Sequence, residues 1–72
     1  MVDIQLLDKK IEQSGFRIDH IISTLGLSRT GYYKKRNGKS SFRAAEIYVL
    51  RDLLKLSPEE EAQIFFADKV GS

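Results

Sequence analysis

The chain contains no cysteine and one histidine, His20. Disulfides are therefore excluded, and a lone histidine cannot complete a multi-ligand zinc site, so neither kind of staple is expected. No apolar run approaches the roughly 20 residues of a membrane span, and the opening Met-Val-Asp-Ile lacks the make-up of a signal peptide. A soluble, cytoplasmic protein is the expectation. No nucleophile has a base at a useful spacing and 72 residues leave little room for a pocket, so no enzyme and no cofactor are expected. Acidic side chains are missing from one long window: none occurs between Asp19 and Glu46.

That window holds Arg29, Lys34, Lys35, Arg36, Lys39 and Arg43, half of the 12 lysines and arginines, although the net charge is only +2. The acids gather elsewhere, most densely at Glu59, Glu60 and Glu61. A chain polarised in this way presents a basic face suited to a polyanion. The plainer alternative is a solvated charged surface.

Seventy-two residues make a single domain, 1–72, which buries only about 60% of its unfolded surface. Its elements are legible from local signals. Ile4, Leu7 and Ile11 recur at helical spacing, with Asp3 as N-cap and Gly15 as stop. A second segment starts near Arg17, carries Ile18, Ile21, Ile22 and Leu25, and ends at Gly26. Ser28 caps a third, Arg29 to Asn37, closed by Gly38. A fourth begins around Arg43 to Ala45 and bears Ile47, Leu50, Leu53 and Leu54. Ser57-Pro58-Glu59-Glu60 then combines an N-cap serine, a first-turn proline and a capping-box glutamate. The helix that follows carries Ile64, Phe65 and Phe66 and frays by Gly71. No segment alternates as a strand would. The fold class expected is all-α, a compact bundle of five short helices.

Leu25-Gly26-Leu27-Ser28-Arg29 followed by Asn37-Gly38-Lys39 resembles the Cro and phage-repressor helix-turn-helix family, with the likeness running from about Leu6 to Leu56. Phe42, Glu46-Ile47 and Ile64-Phe65-Phe66-Ala67 are similar to small regulators of Gram-positive phages and prophages. The resemblance implies a lambda repressor-like DNA-binding domain, with residues 17–37 as the helix-turn-helix and 28–37 as the recognition helix in the major groove. It further implies base contacts from Arg29, Thr30, Tyr33 and Lys34, the two cations donating to guanine and Thr30 or Tyr33 touching a thymine methyl. Phosphate contacts fall to Arg17, Ser28, Lys35, Arg36, Asn37 and Lys39. The implied partner is a double-stranded operator, bound as a homodimer at least on DNA.

The sequence departs from that pattern at three places. Ile18 stands where a backbone-gripping glutamine is usual, Ile22 where the helices cross over a small residue, and Lys35 where a bulky apolar residue anchors the recognition helix. Anchoring then falls to Tyr32, with the Lys35 stem helping. These departures, and the acidic last helix with its phenylalanines, keep a second function open: an anti-repressor, antitoxin or adaptor built on the same helices.

Several local features carry plainer readings. Gly38-Lys39-Ser40 looks like the end of a phosphate-binding loop, but the motif needs glycine where Tyr33 stands and a strand before it. His20 lies among polar neighbours as a surface residue. Adjacent Tyr32 and Tyr33 point about 100° apart, so Tyr32 is assigned inward and Tyr33 outward. Gly31 is either tolerated or permits a close approach to helix two or to the sugar-phosphate backbone. Of Phe65 and Phe66, one is expected in the core and the other at a dimer contact.

Overall fold

Capping hydrogen bonds start most of the helices in the computed structural model, which describes residues 2–66. Helix α1 spans Ile4–Ser14, and Asp3 accepts from the Leu6 N–H at 3.1 Å. Helix α2 spans Ile18–Leu25, with Arg17 at its N-cap position. Helix α3 spans Arg29–Arg36, where the Ser28 hydroxyl accepts from the Gly31 N–H at 3.0 Å. Helix α4 spans Ala44–Leu54, and its third residue, Glu46, accepts from the Arg43 N–H at 2.8 Å. Helix α5 spans Pro58–Phe65 and carries the expected capping box: Ser57 Oγ accepts from the Glu60 N–H at 3.1 Å, and Glu60 accepts from the Ser57 N–H at 2.9 Å. Each such cap satisfies a first-turn donor that the helix itself cannot. The protein is all-α, and among the described residues there is no strand.

One continuous core joins the elements. Leu7 and Ile11 of α1, Ile21, Ile22 and Leu25 of α2, Tyr32 of α3, Ile47, Leu50 and Leu54 of α4, and Ile64 of α5 meet there with Phe42 and Leu56. Helix α4 is the centrepiece: α1 and α2 both pack on it, and α5 packs on α1. The Asp3 N–H donates to the Ile64 carbonyl at 2.9 Å, and Lys10 pairs with Glu60 at 2.8 Å, so α5 is pinned beside the start of the chain. Helix α3 packs mainly against α2 and lies toward the edge. Among the described residues, no helix is long and apolar enough to cross a membrane.

Small differences from the expected boundaries have local causes. Asn37 is the C-cap of α3 rather than its last residue, because Gly38 at φ 85° turns the chain back and its neighbours Lys39 and Ser40 donate to the Lys34 carbonyl. Helix α5 stops at Phe65, and the expected fraying point, Gly71, lies outside the described residues. Phe65 packs edge-on against Phe42 at 5.5 Å between ring centroids, whereas Phe66 is exposed. The expected inward partner is thus Phe65.

Candidate nucleic-acid interface

The link between α2 and α3 is short because Gly26 adopts φ 74°, a left-handed angle that costs other residues strain. Its N–H donates to the Ser23 carbonyl at 3.0 Å and the Leu27 N–H to the Ile22 carbonyl at 3.2 Å, closing α2 within three residues of the α3 N-cap. Leu27 is half-buried against the core. Ile22, despite its size at the crossing, is accommodated within the core. Ile18 is half-buried and packs beside it.

Tyr32 roots α3 in the core. Its side chain is fully buried, stacked edge-on against Tyr33 at 5.1 Å and Phe42 at 6.3 Å. The phenol oxygen has no hydrogen-bond partner. Burial, reinforced by the nearby Asp8 carboxylate, pushes its pKa up to about 12.

With Tyr32 inward, Arg29, Thr30 and Lys34 are exposed, and Ser28, Asn37 and Lys39 extend the same open surface. Arg17 is exposed beside the start of α2. Tyr33 is half-buried on the flank toward α1, with the Arg36 guanidinium 5.8 Å from its ring centre. The outward assignment of Tyr33 therefore needs refinement: its ring lies along the side of α3, in a shallow hollow with Asp8, Ile18 and Arg36. Gly31 does not approach α2 closely. A Cβ there would meet Ser28 Oγ at 3.1 Å, so the position is crowded by the cap of its own helix.

The cations of this stretch divide into two sets. Lys35 points toward α4, and its ammonium donates to both Glu46 oxygens at 2.6 and 2.8 Å. Partial burial works against the Glu46 carboxylate, but hydrogen bonds from Lys35 and the Arg43 N–H outweigh it and hold the pKa below the usual glutamate value. Arg36 reaches α1, gripping Asp8 through Nε at 3.0 Å and Nη2 at 2.5 Å, while Nη1 donates to Asn37 Oδ1 at 2.7 Å. Arg29 pairs with Asp19 of α2. Among the described residues, Arg17, Lys34, Lys39 and Arg43 form no ion pair. Lys35 and Arg36, expected at phosphates, are therefore placed as fastenings of α3 to α4 and α1. The expected Lys35 anchor thus includes an ion pair of its ammonium with Glu46.

The sequence does not mark Asp8, Asp19 and Glu46 as partners of these cations. Their separations from the cations they hold, 28, 10 and 11 residues, carry no local signal. Glu46 alone left a trace, as an acid at the third position of a helix. His20 is exposed and stacks on Phe16 at 5.1 Å between ring centroids. Among the described residues, no three His, Cys, Asp or Glu side chains converge as a metal site requires. Comparison with protein-family profiles, with curated sequences and with solved structures finds no match for this chain.

Proposed function

We propose that the chain is a sequence-specific DNA-binding regulator of transcription in which α2, the Gly26 turn and α3 act as a helix-turn-helix. The supporting observation is the character of α3: it is rooted by one buried tyrosine, packs chiefly on α2, and carries an exposed Arg29, Thr30 and Lys34 with no acid of its own. A helix about 10–12 Å across fits a major groove about 12 Å wide. Arg29, Thr30 and Lys34 then meet base edges, with Tyr33 at the margin, while Arg17, Ser28, Asn37 and Lys39 hold phosphates. Two copies on a pseudo-palindromic operator, with half-sites about 34 Å apart, complete the arrangement.

Selection of bound sites from random duplexes tests the reading. Arg29→Ala and Lys34→Ala are expected to cost about 1–3 kcal/mol on the selected site and to relax preference at one position each. Lys39→Ala should weaken all sequences alike and lower the salt slope by about one. Equal losses on selected and random DNA for all three would reject base reading.

One observation favours a second reading, a protein-interaction module. Tyr48 is 54% exposed and borders an apolar hollow with Phe42, Ala44 and Ile47, on a surface distinct from α3. Binding that stays near 10⁻⁴–10⁻⁶ M, roughly the non-specific level, for every duplex would favour it.

A further inference from the structure

Three of the four cationic side chains of α3 are each held by a carboxylate from a different helix, and the pairs are graded in exposure. Lys35 and Glu46 are the most enclosed, with side chains 13% and 11% exposed. Arg36 and Asp8 are intermediate, and Arg36 keeps further holds on Asn37 and Tyr33. Arg29 and Asp19 are open, at 59% and 68%, and joined by a single contact. An exposed pair of that kind is weak and exchanges readily.

Its location gives it a consequence. Arg29 is the first residue of α3 and Asp19 the second of α2, so the pair bridges the two helix N-termini that the proposed function turns toward DNA. On arbitrary duplex, a phosphate competes with Asp19 for the Arg29 charge, and an Arg29 that moves fully to the phosphate leaves Asp19 unpaired beside a polyanion. A guanine edge offers the guanidinium two acceptors, O6 and N7, at a fixed spacing that matches its fork, a contact that only the correct base supplies. We infer that Asp19 is a specificity-determining residue: it holds Arg29 as an intramolecular substitute for phosphate, so that arbitrary duplex is bound weakly and a correctly placed guanine draws the arginine away. The inference rests on the groove-binding reading of α3.

The test compares the wild type, Asp19→Asn, Arg29→Ala and the double variant on a random-sequence duplex of about 20 base pairs, between about 50 and 200 mM salt. Folding is checked by far-UV circular dichroism. If the asparagine variant is unfolded, Asp19→Ser replaces it, serine being well tolerated near a helix start. Asp19→Asn should bind more tightly and steepen the salt slope by about one, so its advantage shrinks roughly 3.5-fold across that range. The gain should vanish in the Arg29→Ala background. Equal affinity and slope for wild type and Asp19→Asn, with the wild type binding, overturns the role of Asp19 and leaves the groove reading standing. A gain undiminished without Arg29 also overturns it, since Asp19 would then act by its own charge alone. No measurable binding by either protein overturns the groove reading and this inference together.

Discussion

At the scale of single residues, Tyr32 shows how position outweighs type. It anchors α3 through its ring, while its hydroxyl sits buried with nothing to bond. An unpaired buried hydroxyl costs free energy, whereas the ring supplies most of the apolar contact. Tyr32→Phe is accordingly expected to leave stability unchanged or raise it by about 1 kcal/mol, read from the urea midpoint. A loss of similar size would show that the hydroxyl is hydrogen-bonded after all. The phenol also links stability to alkaline pH. Its folded pKa, about 12, lies above the ordinary 10.0, so its contribution is complete below pH 10.0 and is lost as pH rises toward the folded value. In a Tyr33→Phe, Tyr48→Phe background, phenolate absorbance should appear together with the loss of helical dichroism. Gly26 is the complementary case: a Cβ there would meet nothing within 4 Å, so its requirement is purely one of backbone angle.

At the scale of elements, α3 is a short helix whose orientation depends on fastenings. Tyr32 holds one side, Lys35 with Glu46 ties it to α4, and Arg36 with Asp8 ties it to α1. Removing one partner of an enclosed pair strands the other, so Lys35→Ala should cost roughly 1–3 kcal/mol at neutral pH. Because the folded pKa of Glu46 is depressed, the stability it supplies is present above the ordinary glutamate value and is lost as pH falls through the folded one. Denaturation between about pH 3 and 7 should therefore show a steeper acid loss for the wild type than for Glu46→Gln. Identical slopes would mean that the pair does not contribute in solution. The Glu46 carboxylate serves α4 as well, since Oε1, one of the two oxygens that accept from Lys35, also accepts from the Arg43 N–H. One side chain thus couples the start of α4 to the orientation of α3.

At the scale of the whole molecule, the distribution of unpaired charge decides how DNA would be met. Among the described residues, four cations between Arg17 and Arg43, namely Arg17, Lys34, Lys39 and Arg43, form no ion pair, and neither do Lys9 and Lys55 outside that stretch. Binding to random duplex through these four alone predicts a slope of log K against log salt of about −3 to −4 per copy. A slope near −6 per copy would show that the ion pairs of α3 open on non-specific DNA. This outcome is measurable by titration at several salt concentrations and needs no knowledge of the operator. No residue of α3 lines the apolar hollow beside Tyr48, so a protein partner there and a duplex on α3 would meet different side chains, although Arg43 lies between the lining residues Phe42 and Ala44.

The helices were readable one residue at a time because their ends are set locally. Asp3, Ser28 and Ser57 each bond a backbone N–H three residues on, and Gly15, Gly26 and Gly38 each supply a left-handed angle. The inward faces of α1, α2 and α4 follow from apolar spacing in the same way, whereas in α3 the inward place of Tyr32 follows from the roughly 100° between adjacent Tyr32 and Tyr33. Packing alone decided which cations stay available. Asp8, Asp19 and Glu46 reach Arg36, Arg29 and Lys35 across three different helix contacts. Charge acts through space, and no spacing along the chain encodes a distance that arises only once the helices have docked.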